Sequence, residues 1–168
     1  MDSVETRLRY SAENCSIKGT LEIVGERWSL LVLREAFFGL RRFGDFHQVL
    51  GCARNLLSER LAKLVDHGVL ERVAYQDPGQ RGRYEYQLTE KGLELLPALV
   101  ALMQWGDRWT TGPDGPPVQV RHRDCGGAVS AILACEHGHH ALTPHATRAT
   151  PGPGAQTIAP TSASVCDL

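Results

Sequence analysis

The chain has 168 residues, 42% hydrophobic and 22% charged, with a formal net charge of −1. That length suits one domain plus an appendage, the composition is ordinary for a globular protein, and the charge gives no global pull toward nucleic acid. The longest apolar stretch, around Leu93–Met103, is too short and interrupted to span a bilayer, and the acidic start MDSVETRLRYSAENC does not read as a secretory signal, so a cytoplasmic protein without membrane contact is expected. Five cysteines are an odd number, better read as thiols or metal ligands than as a disulfide framework.

Residues 1–14 read as a flexible polar arm. Ser16–Val24 is a short helical pattern ending at Gly25. The segment Trp28–Phe38 is apolar nearly all round, as in the buried centre of a small domain, and Trp28 is most simply a core residue. Between Arg41 and Leu88 come two short amphipathic helices and a β-hairpin with a basic, Gly-rich tip. Leu57, Leu61, Leu64 and Val65 make one apolar stripe on the second helix, and Gly68 stops it. Val69–Tyr75 reads as a strand, and Asp77–Gly82 carries turn chemistry. From Arg83 to Leu88 the pattern alternates, with Tyr84, Tyr86 and Leu88 on one face. This order outlines a winged helix-turn-helix, which lays its second helix in the DNA major groove. The fold class expected is mainly α with a small β-hairpin.

After the hairpin, Thr89 is a candidate N-cap, and Glu90–Trp109 reads as a long helix that Pro97 kinks or divides. Its apolar residues cover more than one stripe. A domain of this size cannot easily bury both faces, so the helix is read as a dimerisation element with Leu99 and Met103 in the subunit contact. Past Thr110 the composition changes: seven of nine prolines and five of seven histidines lie there. The expected organisation is an arm at 1–14, a DNA-binding and dimerisation domain at 15–110, a linker at 111–117, a small Cys/His extension at 118–145 and a disordered tail at 146–168. Local order is expected only near Pro151–Gly154.

The residues of the second helix opposite its stripe are mostly short or polar. Asn55, Ser58, Glu59 and Ala62 are expected to face bases, and Arg54 and Lys63 to approach the backbone. Arg81 and Arg83 at the wing tip can neutralise phosphate or enter a minor groove. Arg41–Arg83 holds eight Lys/Arg against five Asp/Glu, a local bias of +3. Arg60, at the edge of the stripe, either reaches a phosphate or pairs internally. Cys15 precedes a helix, where the dipole lowers a thiol pKa and Lys18 adds charge; the competing reading is a structural cysteine packed near the dimer helices. Cys52 reads as a small residue in a tight turn. No phosphate-binding loop, nucleophile elbow or zinc-protease motif is present, so no enzyme is expected. No cofactor is expected either, except zinc as an alternative in the extension. There His122, Cys125, Cys135 and His137 are the candidate ligands, although a zinc ribbon would show two intact C-x-x-C pairs.

Several ordered words match a known family: Cys15, Ile23–Glu35 (IVGERWSLLVLRE), Arg42–Phe46, Leu57–Leu61, Gly68–Leu70, Tyr84–Gly92 (YEYQLTEKG), Leu95–Pro97 and Trp105–Gly106. Over roughly residues 15–109 the chain resembles the HxlR-type transcriptional regulators, a bacterial group within the MarR-like winged-helix proteins. The resemblance implies a homodimer bound to a double-stranded DNA operator, expected to be an inverted repeat, near its own gene or a neighbouring operon. A repressor is expected. It also implies a cysteine at the position of Cys15 that reacts with oxidants or electrophiles. The residue after that cysteine is usually proline in the family and is Ser16 here. The alternative is a winged-helix protein–protein adaptor that does not bind DNA, which the acidic Glu59 and Asp66 on the reading face keep open.

Overall fold

The computed structural model describes residues 7–79 and 81–158. Its elements run α1 (Ser16–Val24), α2 (Arg27–Phe37), α3 (Phe43–Leu50), α4 (Arg54–Asp66), β1 (Leu70–Tyr75), β2 (Arg83–Leu88), α5 (Glu90–Leu93) and α6 (Leu96–Trp109). The architecture is the expected winged helix-turn-helix, mainly α with one two-stranded antiparallel hairpin. No helix among the described residues is long and apolar enough to cross a membrane.

α1 begins after Cys15, whose backbone is extended, and ends where the Gly25 N–H donates to the Leu21 carbonyl. A Cβ on Gly25 would stand 2.5 Å from that oxygen, so only glycine fits the stop. α2 supplies the fully buried Val32 and Leu33, and buries Ser29 and Glu35 beside them. Trp28 is half-buried against the core, with the Arg27 guanidinium 4.8 Å from its ring centroid. α3 adds Phe46, and α4 adds Leu57, Leu61 and Leu64, all fully buried. The stripe read from the sequence is thus the packed face, and each such leucine contributes about 2 kcal/mol of burial.

Two turns fix the reading head. Gly51, at φ +64°, closes α3, and Cys52 follows it into the core. At the end of α4 the Gly68 N–H donates to the Val65 carbonyl and the Val69 N–H to the Leu64 carbonyl. With Gly68 at φ +66°, this is a Schellman stop. Val69 and Leu70, both buried, then lead straight into β1.

β1 and β2 pair in register from Leu70 opposite Leu88 to Tyr75 opposite Arg83. Tyr86 and Leu88 pack against the core, but Tyr84 is exposed, because the hairpin runs out past the helices before that position. Thr89 caps α5, accepting from the Gly92 N–H at 3.1 Å and donating to the Gly68 carbonyl at 2.6 Å. The long helix divides, with α5 and α6 separated at Glu94–Leu95. Pro97 takes a first-turn position of α6, where its missing N–H costs no bond. One expectation fails here. Leu99 is 8% exposed and belongs to the domain's own core, so it is not available as a subunit contact.

Beyond α6 the extension holds two small antiparallel bridges, Arg121 with Ala128 and Ala134 with His140. The Ala131 N–H donates to Gln104 Oε1 at 2.8 Å, which ties the extension to α6. The described part of the tail lies against the N-terminal arm. Tyr10 bridges Thr157, the Ser11 N–H donates to the Gln156 carbonyl, and the Ile158 N–H donates to the Arg9 carbonyl. A Pro/Gly/Thr-rich segment lacks apolar residues for a core of its own, but the arm supplies partners for its backbone groups. Residues 159–168 of the expected tail lie outside the described residues.

Candidate nucleic-acid interface

The outer face of α4 presents Arg54, Asn55, Ser58 and Glu59 to solvent, while Ala62 and Lys63 are half-buried. Its inner leucines fix the rotation of the helix, so this face is a consequence of packing rather than of local charge. Arg54 lies over the Phe43 ring, Cζ to centroid 5.0 Å, which joins the first residues of α4 and α3.

Not every expected phosphate cation is free. Glu26, the residue before α2, pairs with Arg60 Nη2 at 2.5 Å and stands 3.6 Å from Lys63 Nζ. Arg60 also meets Glu59 at 3.2 Å, and its side chain is only 13% exposed. It therefore pairs internally. Lys63 stands half-buried beside the same carboxylate. Glu26 was not legible as part of the site, because it lies far from α4 in the chain and has no local signal.

At the wing, Arg81 and Arg83 are exposed and have no ion pair among the described residues; Gln80 between the strands lies outside them. The wing is pinned to the reading head from below. The Tyr86 N–H donates to the Arg41 carbonyl at 2.8 Å. Arg42 lies 3.3 Å from Asp77, 3.4 Å from Glu85 and 4.5 Å from the Tyr75 ring centroid. Both carboxylates belong to the hairpin, so Arg42 is a positioning residue that sequence reading missed.

Cys15 sits at the start of α1. The backbone N–H of Lys18, and next that of Ile17, hold its thiol below the ordinary range; the charges of Arg7 and Lys18 add to this. The Lys18 ammonium itself is paired with Glu13 at 2.8 Å. Cys52, at 6% exposure, is a core residue of the helix-turn-helix turn.

The candidate zinc ligands do not converge. His122 Nδ1 lies 3.4 Å from Cys125 Sγ in one hairpin, and His139 Nδ1 lies 3.2 Å from Cys135 Sγ in the other. His137 instead stands 3.8 Å from Glu136, so the turn offers His139 in place of the residue expected. Among the described residues no three His, Cys, Asp or Glu side chains come together as a metal site.

Residues 23–113 match the family model described as HxlR-like helix-turn-helix. An uncharacterised HTH-type transcriptional regulator of Mycobacterium tuberculosis strain H37Rv is 46% identical over 147 residues, covering 88% of this chain and 92% of that one. Among solved structures, PA1607, a candidate transcription factor, superposes with a TM-score of 0.71 at 38% identity, over 83% of this chain and 96% of that one. The redox regulator HypR in its oxidised form superposes with a TM-score of 0.53 at 25% identity, over 58% of this chain and all of that one (100%). A reading helix set by buried leucines, a wing latched beneath it and a family match spanning both leave one assignment: the chain belongs to the HxlR-like helix-turn-helix family of DNA-binding transcriptional regulators.

Proposed function

We propose that the protein is a homodimeric repressor that occupies an inverted-repeat operator and responds to thiol-reactive compounds through Cys15. The observation that carries the reading is the outer face of α4, where Arg54, Asn55, Ser58 and Glu59 are exposed beside an arginine-bearing wing. Asn55 suits adenine, Glu59 accepts from cytosine, and Arg54 with the wing arginines suits phosphate. The dimer is supported by apolar side chains left in solvent on two elements: Ile17 and Leu21 of α1, and Leu102, Trp105 and Trp109 of α6. Patches of that kind mark interaction surfaces. The sensing role is supported by the lowered thiol at the start of α1, and HypR, a structural neighbour, is a redox regulator.

The test is capture of genomic DNA by the full chain, followed by sequencing. An enriched inverted repeat with half-sites about one helical turn apart is expected. Its affinity should fall on treatment with diamide, and Cys15→Ser should abolish that response. Enrichment of no sequence over bulk DNA would favour the adaptor reading instead.

A further inference from the structure

The arm and the tail enclose an open cavity of about 1030 Å³. Arg7, Tyr10, Asn14 and Cys15 line one side; Arg148 and Pro151 line the other. The two sides are held together by the bridge of Tyr10 with Thr157, by the Ser11–Gln156 backbone bond and by Asn14 Nδ2 donating to the Gly154 carbonyl at 2.5 Å. The space is ample for a small-molecule ligand.

The lining has a definite charge. Among the described residues it includes two arginines and no Asp or Glu. Among the described residues Arg148 has no ion pair or hydrogen bond, and Arg7 donates to the neutral Tyr10 carbonyl and meets no carboxylate. The acid nearest to Cys15 in sequence, Glu13, pairs with Lys18. A cationic concavity concentrates anions. Among the described residues the lining also holds only one thiol. Cys52 is buried in the helix-turn-helix turn, and Cys125 and Cys135 are paired with His122 and His139 in the extension. Among the described cysteines, therefore, none stands ready to close a disulfide with Cys15 inside the cavity.

We propose that this cavity binds a carboxylate-bearing low-molecular-weight disulfide, and that Cys15 at its wall is thiolated by it. The inference rests on Cys15 being a reactive thiol, as in the function proposed above. The Cys15 thiolate attacks one sulfur of the bound disulfide. A new S–S bond forms to Cys15 as the old one breaks, and the second half leaves as a thiolate that takes a proton from water. Cys15 is oxidised, the ligand is reduced, and no further oxidant is needed. The retained half occupies the space between arm and tail, so the clasp over the start of α1 must open.

The experiment uses the full-length protein with glutathione disulfide, whose halves are anionic, and cystamine, whose halves are cationic. Thiolation of Cys15 is followed by peptide mass spectrometry. Each rate is divided by the rate of labelling with neutral iodoacetamide in the same variant. Glutathione disulfide should be favoured over cystamine by about tenfold relative to a free cysteine peptide, with the preference lost at high salt. Arg148→Ala should reduce the preference and Arg148→Glu should invert it. An unchanged preference in both variants would overturn the site, as would a Cys15–Cys166 or Cys15–Cys15 disulfide in place of the adduct. Iodoacetamide labelling no faster than that of a free thiol would remove the sensor reading as well. Fast labelling without charge preference removes the cavity alone.

Discussion

Arg42 shows how one side chain can matter to DNA reading without touching DNA. Its guanidinium spans Asp77, Glu85 and the Tyr75 ring, all on the hairpin, from a position just before α3. The pairs are partly exposed, so each is individually weak, but together they fix one angle of the wing. Arg42→Ala is expected to raise hydrogen exchange in β1 and β2 and to weaken operator binding about three- to tenfold, with the salt slope unchanged. Arg42→Lys should not restore the wild type, because one ammonium cannot span both carboxylates and the ring. A changed salt slope would mean that Arg42 contacts phosphate directly. Cys15 offers a second measurement at this scale. The thiolate is the reactive form, and the Lys18 and Ile17 N–H groups favour it. The alkylation rate should therefore rise with pH through a midpoint below that of a free cysteine, and fall away as pH drops through it. A midpoint at or above the free-thiol value would assign Cys15 a structural role.

Two elements carry predictions through their contacts. α5 is only one turn long, yet it is held tightly. A Cβ on Gly92 would stand 2.2 Å from the Val69 carbonyl oxygen, and the Gly92 N–H is the donor that Thr89 caps. Gly92→Ala should cost about 1–3 kcal/mol by forcing α5 off the start of β1, read as a lower denaturation midpoint. A neutral result would show that the α5–β1 approach is loose in solution. The wing tip behaves in the opposite way. Arg81 and Arg83 are exposed and have no ion pair among the described residues, so Arg81→Ala with Arg83→Ala should leave stability unchanged. The pair should reduce the slope of log affinity against log salt by roughly two if both contact phosphate. An unaltered slope removes the wing from the interface.

At the scale of the molecule, α1 and α6 carry large side chains that the described residues of the chain leave uncovered. Trp105 is 61% exposed, Trp109 64% and Leu102 55%, whereas Leu99 on the same helix is 8%. The two faces of α6 therefore predict different failures. Leu102→Asp should yield a folded monomer with poor operator affinity. Leu99→Asp should unfold the domain, at a cost of several kcal/mol for an unpaired buried charge. Sedimentation and circular dichroism separate the outcomes. A wild-type monomer at micromolar concentration would overturn the dimer, and a Leu102→Asp dimer would place its contact elsewhere. The extension, tied to α6 through Gln104, adds further exposed apolar groups at Ile132 and Leu133.

The sequence by itself determined the elements of the winged helix-turn-helix and the inner face of α4. Leucines at helical spacing in α4, glycine stops at Gly25 and Gly68, the Thr89 cap and the alternating wing are local patterns. Local patterns dictate local structure wherever packing agrees with them. Tertiary structure decided everything that depends on distant partners. Glu26 meets Arg60 and Lys63, Arg42 meets the hairpin, and Leu99 enters the domain core although its helix shows two apolar faces. The arm meets the tail across most of the chain, and His139 rather than His137 reaches Cys135. Charge pairing and hairpin register carry no periodicity. A cation read along the chain looks the same whether a carboxylate from elsewhere neutralises it or leaves it for phosphate, and only folding brings that carboxylate near.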